Sequence, residues 1–217
     1  MFYFVKSPFW LKRIYSDLFW EIPTQEKKLF LTFDDGPHPI ITMQVLDLLK
    51  AYNAKATFFC IGNNVVKHPE VYKRIIDEGH AVGNHTYNHL NGWKTADELY
   101  LNDINKAMEY IDSNLFRPPY GRISRFQIQQ LLKPKYQMKM IMWSVLSGDF
   151  DPDISAEKCL NNVLLSTKAG SIIVFHDSEK AAEKMFYALP KVLAQFSKKG
   201  FAFEKITDMA LKKEGHG

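Results

Sequence analysis

Residues 29–39 read LFLTFDDGPHP, an apolar run that stops at two adjacent aspartates and then turns at a glycine and a proline. A run this apolar has no wet face, so it predicts a strand buried on both sides, of the kind found in parallel sheets covered by helices. Similar β-like runs lie at 56–61, 81–84, 115–117, 138–145, 171–176 and 201–205. Between them the spacing predicts helices at 40–52, 69–78, 96–112, 125–133, 155–166 and 181–198, with Gly79, Gly170 and Gly200 placed to stop a helix before a strand. This alternation predicts an α/β fold, and about seven repeats predict a closed or nearly closed (β/α) barrel of parallel strands in a single domain. No G-x-G-x-x-G or P-loop is present, so nucleotide-binding versions of α/β architecture have no support.

The chain has 217 residues, a length that suits one core. Hydrophobic residues at 46% and charged residues at 24% give the balance of a globular protein and exclude a disordered or collagen-like one. The net charge of +4 comes from basic residues scattered along the chain, which gives no sign of a nucleic-acid partner. Cys60 and Cys159 each sit in an apolar context and are read as two small core residues, since no dense cysteine framework is present.

Residues 1–26 carry Phe2, Tyr3, Phe4, Phe9, Trp10, Tyr15, Phe19 and Trp20. The segment lacks the pattern of a readable signal peptide, and its polar interruptions are too frequent for a membrane span, which leaves a cytoplasmic or membrane-peripheral location. Its aromatics are read as packing on the domain formed by residues 27–217, in preference to an interfacial membrane contact.

In α/β barrels function collects at the C-terminal ends of strands. Those ends read FDDGP (33–37), GNHTYNH (83–89), RPPYG (117–121), SGDFD (147–151) and FHDS (175–178). His85 and His89 are four apart, so on a helical turn both imidazoles would face one ion, although such a pair alone also fits a solvated helix start. With Asp35 they make a three-ligand set that leaves positions open for water and substrate. Asp34 then stands free to accept a proton from a metal-bound water, the competing reading being a helix cap. His176 follows an apolar strand and suits a general acid, or is a core histidine, with Asp177 beside it to orient it. The two prolines of RPPYG stiffen the backbone and can aim the Tyr120 N–H at an oxyanion, while Arg117 can pair with Asp149 or stay solvated.

In this order and spacing, TFDDGP, H-T-x-x-H and R-P-P-Y-G resemble the NodB-like polysaccharide deacetylases, carbohydrate esterase family 4, over about residues 29–205. The resemblance implies a deformed (β/α) barrel, one divalent metal, usually zinc with cobalt, nickel or manganese as alternatives, and removal of acetyl from an N-acetylated sugar. It implies Asp34 as general base, Asp35, His85 and His89 as metal ligands, and His176 as general acid. It also implies that Asp149 orients Arg117 with the base, and that the Tyr120 N–H stabilises the oxyanion. Pro118, Phe150 and Val174 would line the substrate pocket.

Departures occur in the fourth motif, WSVLSGDF (143–150), where Leu146 replaces an aspartate and Phe150 a tryptophan, and in the fifth, where Val174 replaces a leucine. These changes bear on the substrate, since the ligands, base and acid are all kept. Relatives hydrolyse formamides on lipid-linked sugars or cyclic ureides, which makes a deformylase or other amidohydrolase the second reading. A non-catalytic carbohydrate-binding relative would have lost one of Asp34, Asp35, His85, His89 or His176.

Overall fold

Strand β1 (Lys28–Asp34) runs through the middle of the sheet, parallel to β2 (Ala56–Cys60) on one side and to β7 (Ile172–His176) on the other. The computed structural model describes residues 3–211, so Phe2 and residues 212–217 lie outside the described residues. Outward from β2 come β3 (Ala81–Asn84), β4 (Leu115–Phe116) and β5 (Lys139–Met140), and outward from β7 comes β6 (Val145–Leu146). All these neighbours pair in parallel, in the order β5-β4-β3-β2-β1-β7-β6. A short β8 (Ala202–Phe203) pairs with the start of β1. The seven strands curl into a partial barrel of the deformed (β/α) type.

Side-chain alternation along β1 decides what this barrel holds. Leu29, Leu31 and Phe33 share a buried cluster with Val45, Leu46 and Leu49 of α2 (Ile41–Ala51) and with Leu189, Val192 and Leu193 of α8 (Ala182–Lys198). Phe30 faces the other way, into a cluster with Phe59, Ile141 and Ile172. The same period puts Thr32 and Asp34 on the inner face. Each outward Leu or Phe contributes about 1.5–3 kcal/mol of burial, so the helices clamp β1 and the inner carboxylate moves little.

The remaining helices are α1 (Phe9–Ile14), α3 (Gly62–Lys67), α4 (Pro69–Asp77), α5 (Asp97–Met108), α6 (Arg125–Leu131) and α7 (Ala156–Ser166). Gly79, Gly170 and Gly200 take φ of 80°, 76° and 78°, as helix-stopping glycines do. Two helices carry no sequence signal. Helix α3 has the sequence GNNVVK, with poor helix formers, and is fixed from outside by Gly62 N–H to Thr86 O and Asn63 N–H to Tyr87 O. Helix α1 is one short turn of the amino-terminal segment and buries no residue.

The run 138–145 is not one strand but two, β5 and β6, which do not pair with each other. Its central carbonyls are used elsewhere: Arg117 donates from Nε to Ile141 O and from Nη2 to Met142 O, both at 2.9 Å. The amino-terminal segment lies along this seam. Met142 N–H bonds Phe19 O, Ser7 N–H bonds Ser144 O, and Leu146 N–H bonds Val5 O. Among the described residues no helix is long and apolar enough to cross a membrane.

Candidate active site

Asp34 is the last residue of β1 and is buried on the inner face. Arg117, at the end of β4 and wholly buried, donates from Nη1 to Asp34 Oδ1 and to Thr32 Oγ1, each at 2.7 Å. With the carbonyls of Ile141 and Met142, this gives every guanidinium nitrogen a partner, which is what a buried charge requires. Phe59 packs its ring face 4.1 Å below the guanidinium carbon. The expected pairing of Arg117 with Asp149 is therefore corrected. Arg117 belongs to Asp34, because both face inward at the carboxyl ends of β4 and β1 and the long guanidinium side chain reaches across the inside of the partial barrel.

One residue on, Asp35 has a left-handed φ of 82°, which turns its carboxylate away from that of Asp34. It meets His89 Nε2 at 3.1 Å and His85 Nε2 at 3.8 Å. Asp35, His85 and His89 each offer a ligating atom within 4.8 Å of the others. His85 Nδ1 lies 2.8 Å from Arg117 O, and since a carbonyl only accepts, Nδ1 carries the hydrogen and Nε2 presents its lone pair. Burial lowers His85 to about 4, so the imidazole is neutral, as a ligand must be. Burial alone would raise the Asp35 carboxyl, yet the hydrogen bond from His89 and the facing imidazoles hold it well below its ordinary value. This donor set fits a divalent cation.

The H-T-x-x-H segment is a tight loop, not the helical turn expected from its spacing. Thr86 and His89 take φ of 62° and 58°. Asn84 Oδ1 accepts from Thr86 N–H, while Asp103 of α5 accepts from the N–H groups of Tyr87 and Asn88. These local bonds outbid a helix. Asp35, Thr86, His89 and Tyr120 are four of the six non-glycine residues with positive φ among those described, a concentration of backbone strain at one place.

His176 ends β7 opposite Asp34 in register. Its backbone N–H and its Nδ1–H both bond Asp149, at 2.7 Å each. Burial by itself would lower the imidazole, but the Asp149 charge and hydrogen bond, with Asp35 and Asp34 nearby, raise it to about 9. Asp177 does not orient His176. Its carboxylate accepts from Gly36 N–H and Thr42 Oγ, tying β7 to the loop after β1.

Asp34, Asp35, His85, His89 and His176 line one cavity of about 240 Å³. Pro118, Phe150 and Val174 form part of its wall, and Tyr120 stands at its edge with its ring centroid 4.6 Å from that of His89. The Phe150 ring lies edge-on to His176 at 5.1 Å. Three further residues here were not read from the sequence. Thr32 anchors Arg117, Lys180 Nζ sits 3.1 Å from Asp35 Oδ2, and Tyr3 reaches the cavity from the amino-terminal segment. Lys180 lies two residues after the fifth motif, whereas nothing in sequence connects Tyr3 to the strand ends.

A (β/α) barrel that gathers a paired carboxylate, a raised imidazole and a two-histidine, one-carboxylate cluster at its strand ends has the layout of a hydrolase. A family model described as polysaccharide deacetylase matches residues 21–138. A peptidoglycan-N-acetylglucosamine deacetylase from Bacillus cereus is 37% identical over 196 residues, 88% of this chain and 91% of that protein. A peptidoglycan-N-acetylmuramic acid deacetylase from Bacillus subtilis is 32% identical over 208 residues, 91% of this chain and 77% of that protein. The crystal structure of a peptidoglycan N-acetylglucosamine deacetylase in complex with 4-naphthalen-1-yl-N-oxidanyl-benzamide superposes with a TM-score of 0.83 at 35% identity, covering 92% of this chain and 95% of that one. The chain belongs to the polysaccharide deacetylase family, the NodB-like carbohydrate esterases of family 4. It is a hydrolase of carbon–nitrogen amide bonds, in a family that acts on N-acetylated glycans.

Proposed function

We propose that the protein removes N-acetyl groups from the amino sugars of a peptidoglycan-like glycan, in a metal-dependent reaction. The observation that carries this reading is the placing of Asp34 and His176 around the Asp35, His85 and His89 cluster in one cavity. The relatives named as peptidoglycan deacetylases supply the substrate class. Two neutral imidazoles and one carboxylate would hold a divalent cation, zinc first among the first-row metals, which supplies Lewis acidity to polarise an amide carbonyl and acidify water.

The chain's own groups would do the rest. Asp34, held in place by Arg117, takes a proton from the attacking water as its oxygen adds to the acetamide carbon. The Tyr120 N–H donates to the oxygen that gains charge. His176, charged at neutral pH, gives its proton to the departing nitrogen as the carbon–nitrogen bond breaks, leaving acetate and a free amine. Asp149 orients His176, and Pro118, Phe150 and Val174 close around the acetyl methyl. Residues 3–26 are part of the same catalytic unit, since Tyr3 contributes to the cavity wall.

The test is Asp34→Asn, which keeps the shape and removes the base. Acetate release from an N-acetylglucosamine oligomer should fall by about 10²–10⁴-fold while zinc content stays unchanged. Undiminished release in that variant, or in wild type after exhaustive chelation, would sink the scheme.

A further inference from the structure

The amino-terminal segment is laid along β6, the last strand on its side of the sheet. Lys6 and Val145 form an antiparallel bridge, Leu146 N–H bonds Val5 O, and Ser7 reaches Ser144 O through its N–H and Trp143 O through its hydroxyl. An edge covered in this way holds the segment in one register, and that register sets Tyr3 beside the loop that follows β6. Tyr3 Oη donates to Asp151 Oδ2 at 2.7 Å, and the Tyr3 ring meets the Phe150 ring with centroids 5.3 Å apart. Phe150 in turn stands edge-on to His176. The fit is close: Gly148 takes a φ of 80°, and a Cβ there would lie 2.9 Å from the Tyr3 hydroxyl. Asn162 of α7 also holds this loop, donating to Ser147 O at 2.9 Å.

We infer that Tyr3 is a positioning residue that holds Phe150 against His176 and so fixes the size of the acyl pocket. The inference rests on the deacetylase reading above. Phe150 stands where the family pattern has a tryptophan, and a phenyl ring is smaller than an indole, so the wall at this place is left short. Tyr3 comes from outside the motifs and packs on the ring that is too small, which is where a compensating side chain has to be. Its hydroxyl bonds a carboxylate on the same loop, a charge-assisted contact that ties ring to loop and keeps the pair from parting. Asp149, which orients His176, lies in the same loop beside Phe150, so the amino-terminal segment steadies the acid and the acyl wall together.

The experiment uses the full chain with zinc and compares kcat/KM for the propionamide and the acetamide of one glucosamine oligomer. Tyr3→Ala should raise the propionamide-to-acetamide ratio about fivefold or more, as expected for a loosened apolar pocket. Adding Phe150→Trp to Tyr3→Ala should bring the ratio back to within about twofold of wild type, because the larger ring takes up the vacated space. Adding Phe150→Ala should leave the ratio of Phe150→Ala alone, since without a ring at 150 Tyr3 has nothing to act through. Tyr3→Phe keeps the ring and removes only the tie to Asp151; it should move the ratio in the same direction by a smaller factor, and it serves if the alanine variant fails to fold. A ratio unchanged in both Tyr3 variants, with a lowered urea midpoint, overturns the inference and leaves Tyr3 a clamp for the chain terminus. Effects of Tyr3→Ala and Phe150→Ala that simply multiply overturn it too. A readout without turnover is the nuclear Overhauser contact between the Phe150 ring and His176, which should weaken in Tyr3→Ala. Loss of that contact in a protein whose wild type releases no acyl group supports the positioning role and overturns the deacetylase reading. Acetate release by wild type, with the contact intact in Tyr3→Ala, does the reverse.

Discussion

Asp149 receives two hydrogen bonds from one residue, the backbone N–H and the Nδ1–H of His176, each 2.7 Å long. The double contact fixes both the strand end and the ring, and leaves Nε2 for the cavity that His176 lines. It also fixes the charge. The buried carboxylate outweighs the burial that would otherwise discharge the imidazole, so His176 stays protonated up to about pH 9.

Replacing Asp149 with Asn keeps the shape and removes the charge. His176 then loses its proton at lower pH, and the alkaline limb of kcat/KM should move to the acid side by about one unit or more. The profile of the variant against wild type, recorded with saturating zinc, checks this. An unmoved alkaline limb would show that His176 does not set it.

Arg117 is the other buried charge, with donors to Asp34, Thr32 and two backbone carbonyls. Arg117→Met fills much of the volume but strands the Asp34 carboxylate and leaves both carbonyls unpaired. A loss of about 3–5 kcal/mol in urea unfolding is expected, larger than any surface ion pair here could give. A loss below about 1 kcal/mol would mean that the inner face is wet and the pair is screened.

Much of this arrangement was legible in the sequence, for a physical reason. A strand buried on both faces leaves a continuous apolar run, so β1, β2 and β7 stand out, and the polar residues that end those runs fall together at one rim. Asp34, Asp35, His85, His89 and His176 were found that way. Other features depend on which inward-facing groups meet across the barrel, and a linear pattern does not carry that. The linear pattern puts Asp149 with Arg117 and Asp177 with His176, and only the inner-face layering gives Asp34 to the first and Asp149 to the second. The split of 138–145 follows from carbonyls turned toward Arg117. The loop at 85–89 follows from side-chain bonds by Asn84 and Asp103 that override its helical spacing. Tyr3 reaches the cavity from 29 positions before the start of the nearest motif, TFDDGP at residue 32, with no local signal.

Phe150 and Tyr3 both line the cavity with ring centroids 5.3 Å apart, and in the proposed reaction Phe150 bounds its acetyl end. Phe150→Ala should widen that end. Relative to acetamide, kcat/KM for the propionamide of the same sugar should rise about tenfold, in line with what one methylene is worth in an apolar pocket. Phe150→Trp should move the ratio the other way. A ratio that ignores both substitutions would place the acyl group elsewhere in the cavity.

Away from the active site, His80 gives an independent handle on acid stability. It is buried, its Nδ1 accepts from Ala56 N–H at 3.1 Å, and the Phe58 ring meets it edge-on. Burial first, and then the nearby Lys55 charge, lower it to about 4 from an ordinary 6.5. Between these values the unfolded chain binds a proton that the folded chain refuses. The contribution is therefore fully present above about pH 6.5 and is lost as pH falls toward about 4. His80→Asn retains an oxygen that can accept from Ala56 N–H and removes the titration. Between about pH 7 and about pH 4.5 the variant should lose about 2 kcal/mol less stability than wild type in urea unfolding. His85 titrates in the same direction but is present in both proteins, so the difference between them isolates His80. Parallel losses in the two proteins would mean that His80 is protonated in the fold without cost, and that the Ala56 bond is not what its burial protects.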